Sequence, residues 1–146
     1  MNPAIIFDWV GTLYERNKGP YAYSERVLSV LRGRYKLGLI SIAGGGEEAR
    51  RKEIESSGLL NFFDAVIIGG SKTSDQFLHC MEMMGATPET TVIVDDRTVR
   101  GIKIGNDLGC QTFWIQKGDY SHELPNDDTG EPTFRINSIE DLLRYL

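Results

Sequence analysis

The sequence predicts an α/β fold, a single doubly wound domain whose parallel sheet carries helices on both faces. Three observations predict it. Strand-length runs such as "AIIF" and "TVIV" are apolar at every position, as expected of strands covered on both sides. Segments with helical spacing separate these runs, so the chain alternates strand and helix. Nothing repeats internally and no second composition follows the first, which predicts one domain over residues 1–146.

The elements follow in order. Ala4 to Phe7 predicts the first strand. Tyr23, Val27, Leu31 and Tyr35 then recur at helical spacing, and Leu37 to Ile42 returns to an apolar run. A polar helix is predicted around Glu47 to Ser57, a strand at Ala65 to Ile68, and a helix with Phe77, Leu78, Met81 and Met84 on one side. The methionines read as core filling. Thr91 to Val94 predicts a strand, residues near Ile102 to Leu108 a helix, and Thr112 to Ile115 another strand. The stretch "KGDYSHELPNDDTGEP" is polar and turn-rich and reads as an exposed loop. A last strand, "TFRI", precedes a helix opened by Ser138 with Asp141 three residues on, a capping-box pattern.

Bulk properties exclude several functions. The 16 Lys and Arg against 21 Asp and Glu give a net charge of -5, which disfavours a non-specific grip on nucleic acid or an anionic membrane. No apolar window reaches bilayer length and no signal-peptide pattern opens the chain, so a cytoplasmic protein is expected. Cys80 and Cys110 lack metal-ligand spacing and read as reduced core thiols.

In an open parallel sheet the ligand crevice lies beyond the carboxyl ends of the strands. Polar residues stand there at Asp8, Ser41, Lys72 and the pair Asp95-Asp96. Together they compose a phosphoryl-transfer centre. A carboxylate attacks phosphorus only if a hard cation offsets the repulsion, and Asp8 with Asp96 is a reasonable pair of ligands for Mg²⁺. The Ser41 hydroxyl and Lys72 ammonium would bind the phosphoryl group. The stretch "GGGEEAR" adds amide groups at a helix start, where anions are favoured.

The same residues carry a family resemblance. "IIFDWVGTL", "LGLISIAGG", "GGSKTSDQFLHCMEMMG" and "TVIVDDRTVRGIKIGNDLGCQTFWI" resemble, in order, the four motifs of the haloacid dehalogenase (HAD) superfamily. The resemblance implies a Rossmann-like fold and a Mg²⁺-dependent hydrolase acting on a phosphorylated substrate. It makes Asp8 the nucleophile that forms an aspartyl-phosphate and also a metal ligand, with the Val10 backbone carbonyl a further ligand. Asp96 is then the acidic ligand of the fourth motif, Asp95 stands beside it in a supporting or replacing role, and Thr12 braces the turn. Lys72 is implied as the catalytic and phosphate-binding lysine, and Ser41 as the phosphate-binding hydroxyl.

Two departures qualify this assignment. Phosphatases of the superfamily carry a second aspartate two residues after the nucleophile as general acid and base; here it is Val10, and that function is worth ~10²- to 10⁴-fold in rate. The further acid of the fourth motif is replaced by Arg100 and Gly101. Only 28 residues separate Leu13 from Ile42, so no large cap is expected. An open site suits a large or macromolecular phosphorylated substrate, a homo-oligomer, or a partner that closes it. The expectation is a slow phosphatase; the alternative is an inactive relative serving as a phosphate-binding or protein-interaction module. A receiver-like signalling domain is disfavoured, because its acidic pair follows the first strand.

Overall fold

Strands that are apolar at every position need partners on both edges and cover on both faces, and the fold supplies both. The computed structural model describes all residues from Met1 to Leu146. The strands are β1 (Ala4–Phe7), β2 (Tyr14–Glu15), β3 (Gly19–Pro20), β4 (Lys36–Ile42), β5 (Ala65–Gly69), β6 (Thr91–Asp95), β7 (Gln111–Ile115) and β8 (Phe134–Ile136). Helices α1 (Ser24–Arg32), α2 (Glu47–Ser56), α3 (Ser74–Met83), α4 (Lys103–Leu108) and α5 (Leu142–Tyr145) intervene. Six strands form one sheet in the order β5-β4-β1-β6-β7-β8, and every pairing is parallel. The chain winds outward from β1 through β4 to β5, then crosses back to β6, β7 and β8. The reversal lies at β1, so the crevice opens beyond β1, β4 and β6.

Alternation along each strand builds two cores. On one face Ile5, Phe7, Leu37, Leu39, Val92 and Val94 pack against α1, α2 and α5 through residues such as Leu28, Ile54 and Leu142. On the other, Ala4, Ile6, Ile40 and Ile93 meet Phe77, Cys80, Met81 and Met84. Both cysteines are buried and free, and burial pushes each thiol up to about 12.

Local detail departs from the sequence reading in four places. Tyr23 and Tyr35 flank α1 rather than belong to it. On α3 the packed face runs through Phe77, Cys80 and Met81, which leaves Leu78 exposed one position off that stripe. The predicted fourth helix is preceded by a π-helical turn, Thr98–Ile102. The last helix is a single short turn behind the predicted capping box, in which the Asp141 carboxylate accepts the Ser138 amide at 3.4 Å. Between β1 and β4 the chain makes a small β2–β3 hairpin and α1, with no large cap. No helix is long and apolar enough to cross a membrane.

Candidate active site

Asp8 leaves β1 while its amide still donates to the Val94 carbonyl of β6 at 3.0 Å. The chain then reverses, and the amides of Thr12, Leu13 and Tyr14 all return to the Trp9 carbonyl, at 3.2, 2.9 and 3.1 Å. Gly11 permits the reversal with φ of +87°, and any Cβ there would collide with the Asp96 carboxylate. The ends of β1 and β6 are thereby pressed together.

Lys72 joins them from the segment between β5 and α3. Its ammonium donates to Asp8 Oδ1 at 2.8 Å and to Asp95 Oδ2 at 3.0 Å, and its side chain is 3% exposed. The Thr12 hydroxyl donates to Asp8 Oδ2 at 3.3 Å. Asp95 is fully engaged, because Oδ2 also accepts the Gly101 amide at 2.9 Å and Oδ1 the Arg97 amide at 3.1 Å. Asp96 is different. The residue is 5% exposed, yet no N–H or hydroxyl of the chain donates to its carboxylate, while the Trp114 indole holds its backbone carbonyl at 3.0 Å.

One oxygen from each of Asp8, Asp95 and Asp96 lies within 4.8 Å of the others. Burial, and then the charges of Asp8 and Asp95, push the Asp96 carboxyl up to about 9. Burial also raises Asp8, against the pull of Lys72. Burial alone would lower the Lys72 ammonium, but Asp8 and Asp95 outweigh it and hold the group above its ordinary range. Three ionised carboxylates against one ammonium would carry an excess of negative charge, which a proton on Asp96 relieves and which a cation would relieve in its place. The donors are hard oxygens, and the Val10 carbonyl beside them accepts no hydrogen bond from the chain, so the set suits Mg²⁺ or a similar cation.

Ser41, the penultimate residue of β4, has its hydroxyl buried, where it accepts from the Arg50 guanidinium. Arg50 also donates to the Ile42 carbonyl at 2.9 Å and pairs with Glu53 at 3.2 Å. Glu53 in turn accepts the Trp9 indole N–H at 2.8 Å, and Trp9 stacks on Tyr14 with ring centroids 5.1 Å apart. Ser41 was read from the sequence; Arg50, Glu53 and Trp9 were not. The available signal was the i, i+3 placement of Arg50 and Glu53 on a polar helix that follows Ser41 directly. Arg50 borders the cleft, whereas the glycines of "GGGEEAR" do not.

Above the cluster opens a cleft of about 620 Å³, floored by Asp8, Val10 and Asp96. Tyr21 and Tyr23 stack at 5.4 Å on one wall. The opposite wall includes part of the polar stretch after β7, and that stretch is pinned rather than free. Glu123 accepts the Thr98 amide at 2.8 Å and pairs with Arg97 at 2.9 Å, and Arg97 lies 3.8 Å over the Tyr120 ring. The Glu123 carboxylate thus caps the N-terminal side of the π-helical turn.

A family model described as HAD-hydrolase-like matches residues 71–142. N-acylneuraminate-9-phosphatase of Mus musculus is 28% identical over 115 residues, which cover 75% of this chain and 45% of that protein. The chain spans about half the length of the curated relatives it matches. The HAD-hydrolase YfnB of Bacillus subtilis, solved with magnesium bound, shares the fold with a TM-score of 0.72 at 22% identity, over 87% of this chain and 56% of that one. A HAD-superfamily hydrolase of Geobacter sulfurreducens superposes over 100% of both chains with a TM-score of 0.74 at 12% identity. In its matching family model, in phosphatase relatives aligned over three-quarters of its length and in a fold shared from end to end, this chain is similar to the haloacid dehalogenase (HAD) superfamily.

Proposed function

We propose that this chain is a Mg²⁺-dependent phosphomonoester hydrolase that works through Asp8 and turns over slowly. The observation that carries the reading is the cluster in which Lys72 bridges Asp8 and Asp95 beneath an open cleft, with Asp8 and Asp96 at the cleft floor and no hydrogen bond from the chain to the Asp96 carboxylate. The phosphatase relatives support the reaction class.

Asp8, Asp96 and the Val10 carbonyl would hold the cation, which when bound supplies charge neutralisation between the carboxylate and the phosphate. Lys72 orients Asp8 through Oδ1, and Asp95 fixes Lys72 from the far side. The Thr12 bond to Oδ2 restrains rotation of the same carboxylate. Asp8 attacks phosphorus, an acyl-phosphate forms as the ester P–O bond breaks, and the departing oxygen must gain a proton. Water then attacks the acyl-phosphate and must lose one. Val10 can do neither, so both transfers fall to solvent in the open cleft, which accounts for a low rate. Arg50, which borders the cleft, would bind phosphate oxygens, and Ser41, buried outside the cleft lining, would serve the phosphate through the guanidinium it holds.

The cleft volume lies in the range of small-molecule sites. A macromolecular substrate would therefore present only its phosphorylated group. A panel of phosphate esters assayed with and without Mg²⁺, on the native protein and on Asp8→Asn, tests the proposal. Mg²⁺-dependent phosphate release that Asp8→Asn abolishes is expected, and release indifferent to Asp8 would end the proposal.

A further inference from the structure

The mouth of the cleft is basic although the chain carries a net charge of -5. Five cations border it, Arg16, Arg50, Arg97, Arg100 and Lys117. Two are already committed, Arg50 to Ser41 and Glu53, and Arg97 to Glu123 and Tyr120. Arg16, Arg100 and Lys117 have no carboxylate within ion-pair distance. They come from three separate segments, the β2–β3 turn, the π-helical turn and the residues after β7. No single helix period or local charge run brings them to one opening. The rim acids do not cancel them: Glu15 pairs with Lys18 at 3.7 Å, which leaves Asp119. A solvated surface explains Arg16 and Lys117, which are exposed, but less well Arg100, which is half-buried in the wall without a counter-ion.

We infer that the mouth is a second anion subsite, so that the ligand of this cleft is a small phosphate ester bearing a further anionic group, a carboxylate or a second phosphate. Arg100 is the principal contact, since a planar guanidinium in a partly desolvated wall binds either oxyanion through two parallel hydrogen bonds. Lys117 and Arg16 add charge that draws a polyanion toward a protein whose surface otherwise repels it. The assignment rests on the phosphatase reading only for which phosphate reaches Asp8; the binding preference stands apart from turnover.

Two matched pairs test it, 3-phosphoglycerate against glycerol 3-phosphate for the carboxylate, and fructose 1,6-bisphosphate against fructose 6-phosphate for the phosphate. Dissociation constants come from calorimetry with Mg²⁺ on Asp8→Asn protein, which separates binding from hydrolysis, and turnover is read on the native enzyme. The doubly anionic member of at least one pair is expected to bind roughly tenfold more tightly. Which pair shows the preference tells carboxylate from phosphate. Arg100→Gln combined with Lys117→Gln should bring the ratio close to one, and Arg100→Glu should invert it, while Arg34→Gln at the far end of the sheet should leave it in place. A preference in binding without turnover would keep the subsite, with the phosphatase reading decided separately by the ester panel. Equal affinities in both pairs, no measurable binding of any of the four esters, or a preference that survives Arg100→Glu would overturn the inference.

Discussion

Val10 lines the cleft beside Asp8 and is half-buried, so a carboxylate placed there would border the reaction space. Val10→Asp is expected to raise phosphatase turnover by up to ~10²-fold, and Val10→Asn, similar in size but unable to transfer a proton, should give no such gain. Steady-state rates on one ester decide between them. The electrostatics of Asp96 yield a second expectation. Its carboxyl is pushed from 3.8 up to about 9, so the metal-free folded state holds this proton more tightly than the unfolded chain does. Its contribution is therefore full below the ordinary value and is lost as pH rises toward about 9. A cation needs the deprotonated ligand, so the rise in melting temperature given by Mg²⁺ should be larger at about pH 8.5 than at about pH 6. Asp96→Asn should flatten that difference. Asp8, Ser41 and the pair Asp95-Asp96 were legible because each is polar at the end of an apolar run, and Lys72 because it is the one cation in the short segment after another such run. Arg50 was not, since one arginine in "EEARRKE" looks like its neighbours until the fold turns it toward Ser41.

At the scale of elements, the π-helical turn Thr98–Ile102 does more than join β6 to α4. Its Gly101 brings an amide to Asp95 Oδ2, and a Cβ at that residue would strike the same carboxylate. Gly101→Ala should therefore displace Asp95, loosen Lys72 and destabilise the protein by about 1–3 kcal/mol, with a larger proportional loss of activity than of melting temperature. The other end of the turn depends on Glu123. Glu123→Ala would leave the Thr98 amide and the Arg97 guanidinium without their acceptor, at a cost of about 1 kcal/mol after allowance for partial exposure. Burial raises the Glu123 carboxyl, but the Arg97 bond and charge, the Val99 amide and the Thr98 hydroxyl together outweigh it and hold the group below its ordinary value. This stabilisation is present above the ordinary carboxylate range and fades as pH falls through the lowered value, which an acid titration of native and Glu123→Ala protein would reveal. The sheet strands were legible to within a residue or two, because an unbroken apolar run needs no tertiary information. The β2–β3 hairpin, two residues per strand, and the pinning of Glu123 were hidden, since each is settled by a contact with a distant segment rather than by a local pattern.

For the molecule as a whole, the two cores follow from residue alternation on strands that the sequence already marks as buried, and the order of those strands gathers residues 8, 41, 72 and 95–96 at one edge. Only strand order could do this, and parallel winding supplies it. Mg²⁺ with beryllium fluoride, a phosphate mimic, should raise the melting temperature of the whole domain, because a ligand bound only by the folded state stabilises it by mass action. Asp8→Asn should remove most of that rise. The placement of the indoles makes such binding visible without a label. The chain has two tryptophans; Trp9 adjoins Asp8 and donates to Glu53, and Trp114 donates to the Asp96 carbonyl. Both emitters are buried beside the acidic cluster, so the intrinsic fluorescence of the protein is a spectrum of its active site. Occupancy can be followed in emission colour and quenching, and Trp9→Phe and Trp114→Phe would report the Asp8 and Asp96 sides one at a time.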